Sequence, residues 1–372
     1  MKAVLLALLL AGGALAQRHK VNINTETPEG QALQAIGQES DDAKKIAMFE
    51  KFTQDYPKSE NLAWAYSEMQ PLYTKANQPD KAIEIGDKLI ALDAEDLETA
   101  LATLKAAEAK KDPDLVKKWA NATGGIAQKV IASPQPKEED EVEEWKKHVA
   151  FAKQVNTYSE YALYAMALQT TDPRKKVDLV EALYDRNPQS QYMGQLLPVA
   201  LQAFQQINDT DRATAFAEKV LAKEPNNDDM LLVAANGYLQ KGKEPDKVIA
   251  YSGKLAEDMN SKTKPDGVSD ADWDNRKKTI IGLAHYMPGK VYFNQKKYGP
   301  ADKELRTALP LVENNAALKP EVLFLIGFAN YKLENPVEAL KYLQQCAAIR
   351  SPFQAQAAKN VTVIKSQYRA VK

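Results

Sequence analysis

The chain has 372 residues, with 49 Lys or Arg against 50 Asp or Glu, a formal net charge of −1. Such a balance excludes the strong basic field of a nucleic-acid binder, and one cysteine excludes an intrachain disulfide. The length exceeds the ~250–300 residues over which a single core keeps growing, a limit that an array of units packing only on their neighbours escapes.

Met1-Lys2 begins the chain, and Ala3 to Ala16 follows without charge, mostly Leu and Ala. It ends in Ala14-Leu15-Ala16, small residues where a signal peptidase needs them. The stretch falls short of the ~20 apolar residues of a membrane span. The sequence therefore predicts a signal peptide cleaved before Gln17, a periplasmic or secreted chain, and no integral membrane segment after cleavage. Next come two similar segments, SDDAKKIAMFEKFTQDYPKS (Ser40–Ser59) and TDPRKKVDLVEALYDRNPQS (Thr171–Ser190). Each opens with a capping Ser or Thr and Asp, carries apolar residues at helical spacing, and stops at Pro57 or Pro188. Ser133 to Glu144 reads as a loop entering a long helix, its acids Glu138 to Glu141 at the positive helix end. Ser261 to Asp274 reads as a second interruption. Gly282 to Phe353 holds two copies of a helix, a turn with Pro and a second helix, with Gly289 and Gly327, and Ala301 and Ala339, both 38 residues apart. Gln354 to Ala370 reads as a terminal helix with Ala357, Val361, Ile364 and Tyr368 on one stripe. No alternating strand pattern occurs, so an all-α fold is expected.

The 38-residue copies resemble the tetratricopeptide repeat family. Gly289 and Gly327 hold its small residue of helix approach, Tyr292 its aromatic position, Ala301 and Ala339 its small residue opening the second helix, and Ala308 and Cys346 the next small place. Asn330 departs from the aromatic position, with Tyr331 beside it. Weaker copies cover 63–96, 194–227 and 228–261. The resemblance implies a right-handed α-solenoid of helix-turn-helix repeats. The expected organisation is a signal peptide over 1–16, divergent repeats over 17–132, central repeats preceded by an acidic loop over 133–260, strong repeats over 261–353 and a capping helix over 354–372. One continuous superhelix is expected. The Pro-x-Ser endings of the two early segments also resemble repeats of bacterial envelope proteins.

Motifs for chemistry are sparse. The three histidines, His19, His148 and His285, are far apart, and no second His follows at i+3 to i+5. No G-x-S-x-G, P-loop, H-E-x-x-H or paired-cysteine motif occurs. Asp270-x-Asp272-x-Asp274 has the opening spacing of a calcium loop, but Asn275 stands where the turn glycine belongs and the closing Glu is missing. Ser269 reads better as a helix cap. Cys346 reads as a small core residue. No catalytic residue, cofactor or metal is expected.

The family resemblance implies binding on the face of the first helices. Helical phase puts Tyr286, Lys290, Phe293 and Asn294 there, then Phe324, Phe328, Tyr331 and Lys332, beside a polar stretch of Gln202, Gln206, Asn236 and Gln240. Five aromatics at ~150–250 Å² each form a surface that something must cover. The terminal helix is one cover, and a partner segment in the groove is the other. The expected function is an exported, non-enzymatic scaffold that binds a protein or peptide, in the bacterial cell envelope. The alternatives are an envelope-biogenesis factor of the β-barrel assembly or Tol–Pal coordinator type, or a subunit of an enzyme complex.

Overall fold

The structure, a computed structural model, describes residues 18–368. The expected signal peptide, and Arg369 and Ala370 at the end of the expected terminal helix, lie outside the described residues. Among the described residues there are seventeen α-helices and no strand. The chain divides into two compact units, Met1–Ala203 and Phe204–Lys372.

In the first unit the helices are α1 (Pro28–Gln38), α2 (Asp42–Asp55), α3 (Leu62–Lys75), α4 (Pro79–Leu92), α5 (Leu97–Lys110), α6 (Pro113–Ile131), α7 (Glu139–Gln169) and α8 (Pro173–Arg186). The unit boundary falls within α9 (Met193–Ile207). The second unit continues with α10 (Thr210–Leu221), α11 (Asp228–Lys241), α12 (Pro245–Ser261), α13 (Asp270–Asn294), α14 (Tyr298–Ala308), α15 (Leu318–Lys332), α16 (Pro336–Ala347) and α17 (Gln354–Gln367). Odd and even helices pair as hairpins, and the next contacts run between first helices: α3 with α5 and α5 with α7, then α11 with α13 and α13 with α15. The first helices of each unit therefore share a layer.

The hairpin turns follow one local rule. A residue in the left-handed region stands two places before the second helix: Asn77, Lys111, Asn208, Lys296 and Glu334, with φ between 52° and 60°. Three of these helices then open with proline, Pro79, Pro113 and Pro336, where the missing N–H costs nothing and the fixed φ suits the first turn. The turn before α12 uses Gly242 and Glu244 instead. Outside Gly242 the left-handed residue is never glycine, so each turn carries a backbone cost of ~1–2 kcal/mol that the packed hairpin offsets.

Glycine is required where the paired helices touch. A Cβ on Gly289 would come within 2.7 Å of Leu305 Cγ, and one on Gly327 within 2.6 Å of Leu343 Cγ. Each glycine meets the leucine sixteen residues later, so the two copies pack alike. Ala301, Ala308, Ala339 and Cys346 have no exposed surface at the same seams. Asn330, in the aromatic position, is buried in a polar network instead: its amide donates to Asp302 at 2.6 Å and to the Ile326 carbonyl at 3.0 Å. Arg306 ties Asp302 to Glu338 and the Tyr342 hydroxyl.

Ahead of α1, the segment from Arg18 to Asn24 runs without regular secondary structure past the starts of α3 and α5. Asn61 accepts from the Asn22 N–H at 2.8 Å and donates to the Asn22 carbonyl at 3.3 Å. Arg18 forks onto Asp93, and His19 lies 2.9 Å from Asp96.

Candidate functional site

The second unit holds a hollow of about 880 Å³ on its first-helix layer. Its apolar floor comes from Leu232, Val233 and Leu239 of α11, Leu283 and Met287 of α13, and Leu318 of α15. Carboxamides ring it: Gln205, Asn236, Gln240 and Asn294. These four are exposed, with donor and acceptor capacity directed at whatever enters. Helix periodicity explains the arrangement. Leu232, Asn236 and Leu239 recur every three or four residues on α11, as do Leu283, Tyr286, Met287, Lys290 and Asn294 on α13, so each helix turns one stripe toward the hollow.

The hollow thus brings together five residues singled out in the sequence: Asn236, Gln240, Tyr286, Lys290 and Asn294. Their environments differ. Tyr286 is buried rather than offered on the surface, and burial and the nearby Glu321 push its hydroxyl up to about 12. Lys290 donates to the Tyr286 hydroxyl at 3.1 Å and pairs with Glu321 at 2.8 Å. Burial opposes its charge, but Glu321 and Tyr286 outweigh burial and hold its pKa above the ordinary lysine value. Lys241, also in the lining, pairs with Asp211. The hollow therefore presents amides and apolar surface, with both its lysines already paired.

Gln202 and Gln206 are exposed but do not line the hollow; Gln205, between them, does.

The aromatics of the last repeats form a ladder of the chain's own. Phe293 packs 5.7 Å from both Tyr298 and Phe328, Phe328 lies 6.1 Å from Phe324, and Phe324 lies 5.5 Å from Phe353. Tyr331 lies 6.3 Å from Phe328 and donates its hydroxyl to Gln367 at 2.9 Å, at the end of α17. Lys332 sits over both Phe328 and Tyr331. Ala357 and Ile364 of α17 are buried in the same core, with Val361 and Tyr368 packed against it. Phe293 and Tyr331 are thus half-buried among neighbouring rings and helix ends.

The first unit carries an aromatic face that the sequence reading missed. Tyr158, Tyr161 and Tyr164 follow one another along α7 at 6.4 and 6.2 Å, and Tyr192 stacks on Tyr164 at 4.7 Å. Tyr158 donates to Glu108 of α5 at 2.6 Å, and Tyr164 to Gln195 at 2.7 Å. The signal was present in YSEYALY, three tyrosines at three-residue spacing on one helix face.

Cys346 is fully buried, donates to the Pro320 carbonyl at 3.3 Å, and is pushed up to about 11 by burial. Ser269 caps α13 by accepting from the Asp272 N–H at 3.1 Å, the role expected of it. Among the described residues no group of three His, Cys, Asp or Glu is placed to hold a metal, and no helix is long and apolar enough to cross a membrane.

Helical hairpins with a repeated glycine–leucine seam, left-handed turns and a layer of first helices define the architecture. The fold is a tetratricopeptide-like helical repeat. No family model matches the sequence, and no curated protein does. Among solved structures, the chain is similar to the tetratricopeptide-repeat domain of P58(IPK), at 12% identity over 92% of this chain and 99% of that one, with a TM-score of 0.28. It is similar to the APC/C hetero-tetramer Cut9–Hcn1 at 12% identity, over 93% of this chain and 91% of that one, with a TM-score of 0.29. It is similar to yeast Tom70 at 10% identity, over 93% of this chain and 97% of that one, with a TM-score of 0.25. At these scores the repeat architecture stands on the hairpin packing, not on the alignments.

Proposed function

We propose that the chain is an exported, non-catalytic scaffold that holds an extended segment of another protein in the α11–α13 hollow. One observation carries this reading: an apolar floor is ringed by four exposed carboxamides, and both lysines of the lining are already paired. Apolar pockets take alternate side chains of an extended segment, while amide groups satisfy its backbone. A charged small molecule finds no unpaired countercharge there.

Export rests on the sequence alone. The uncharged run closing on Ala14-Leu15-Ala16 supports cleavage before Gln17 and a periplasmic or secreted scaffold of the bacterial envelope. N-terminal sequencing of the chain from the native cell tests this part, and a chain that still begins at Met1 would refute it.

Binding is tested with a photoreactive residue at Asn236 or Asn294, and at the exposed Lys278 as control. The hollow positions are expected to give a discrete protein adduct that Lys278 does not. Asn236→Trp together with Asn294→Trp should abolish an adduct formed from Gln240. Equal labelling from all positions, or an adduct indifferent to the two tryptophans, would refute the reading.

A further inference from the structure

We infer that the α11–α13 hollow selects uncharged segments, and that Glu321, outside it, sets this selectivity by holding the charge of Lys290. The inference rests on the function proposed above and names the chemistry of the occupant.

Charge is distributed unevenly around the hollow. The ammonium-bearing Lys241 and Lys290 line it, and no carboxylate does. Their countercharges come from outside the lining. Asp211, in the first turn of α10, meets Lys241. Glu321, in the first turn of α15, meets Lys290 at 2.8 Å.

The two pairs differ in depth. The Asp211 side chain is 82% exposed, so water and salt screen that pair. The Glu321 side chain is only 17% exposed and that of Lys290 34%. Lys290 also donates to the hydroxyl of the buried Tyr286 at 3.1 Å. Its ammonium is thus engaged on both sides, on the α13 stripe that carries Leu283 and Met287 of the apolar floor.

Three kinds of occupant fare differently there. A basic side chain meets ammonium groups and no acid, so it is repelled and loses water without gaining a partner. An acidic side chain reaches Lys290 only by displacing Glu321, which leaves a largely buried carboxylate without its cation. An uncharged segment leaves both pairs in place. Its amide groups meet the exposed carboxamides of the rim, which donate and accept alike, and its apolar side chains take the floor. Charge complementarity therefore favours the uncharged segment.

Glu321 acts through Lys290 and lines no part of the hollow, so it is a positioning residue. Its pair with Lys290 also ties α13 to α15. A tie alone predicts no change in which segment binds, and this separates the two roles.

The test uses the purified full chain with a photoreactive residue at Asn294, and at the exposed Lys278 as control. Capped pentapeptides are compared, with leucine at alternate positions and glutamine, glutamate or lysine between them. Adduct yield is read by mass spectrometry. The glutamine peptide is expected to label Asn294 well above Lys278, with little change between ~50 and ~500 mM salt. The glutamate and lysine peptides should label about fivefold less or weaker still. In Glu321→Gln the glutamate yield should rise about two- to fivefold while the lysine yield stays low. Removing both charges, in Lys290→Gln with Glu321→Gln, should return the glutamate yield to its native level. Equal labelling of Asn294 by all the peptides, above the Lys278 level, would leave the hollow a binding site and overturn its selectivity. An unchanged glutamate yield in a folded Glu321→Gln chain would overturn the role of Glu321. The ranking on the native chain keeps the selectivity falsifiable where that variant does not fold. If no peptide labels Asn294 above Lys278, the hollow is not a site for segments, and this inference falls with that reading.

Discussion

Replacing Gly327 with alanine tests the seam on which the repeat architecture depends. Two terms oppose each other. Alanine gains ~1 kcal/mol of helix propensity over glycine in a helix interior. Against this, the new Cβ would lie 2.6 Å from Leu343 Cγ, 3.1 Å from its Cδ2 and 3.1 Å from its backbone nitrogen. Those are a branch atom and main chain, not the free end of a flexible side chain, so α15 and α16 must move apart. Overpacking of this kind costs ~1–3 kcal/mol, and with backbone involved the upper part of that range applies. Gly327→Ala is therefore expected to destabilise by ~1–2 kcal/mol net. Gly253, exposed on α12, is the control: its Cβ would meet nothing within 4 Å. Gly253→Ala keeps the propensity gain alone and should stabilise by ~0.5–1 kcal/mol. Urea midpoints at 25 °C, followed by circular dichroism, report both. A Gly327→Ala chain as stable as Gly253→Ala would refute the argument that glycine is there to let the helices close.

Lys296, with φ 60° in the turn before α14, should accept glycine with a gain of ~0.5–1 kcal/mol, read as a raised urea midpoint. Glu108 gives a pH signature. Burial raises its carboxyl pKa above the unfolded value, so its contribution is fully present below that value and is lost as pH rises through the folded one. Glu108→Gln keeps an acceptor for Tyr158, and is expected to flatten the loss of stability as pH rises above the ordinary carboxylate range. Cys346, pushed up to about 11 and fully buried, should resist a thiol-alkylating reagent at ~pH 8 and react only at the rate of unfolding, followed by mass spectrometry.

Small residues at fixed spacing made the last two repeats legible. Gly289 and Gly327, with Ala301 and Ala339, leave little freedom in how their helices meet, so alignment alone located the seam. The capping aspartate and the closing Pro188 similarly marked the ends of α8. The face expected to bind was harder to read, because a helical wheel separates sides but not depths. Tyr286 and Asn294 share a stripe on α13, yet the first is buried with Lys290 and Glu321 near it, and the second is exposed. Which ring of a phenylalanine series is covered depends on Phe353 and α17, which arrive from outside the repeat itself.

The α11–α13 hollow is lined from four successive hairpins, from Gln205 of α9 to Leu318 of α15. On the function proposed above, a segment lying across it would act as a clasp. Occupancy would then set the angle at which one hairpin leans on the next, and slow amide exchange along that joint before any other. The stiffness of the chain at that point would then report whether the hollow is filled.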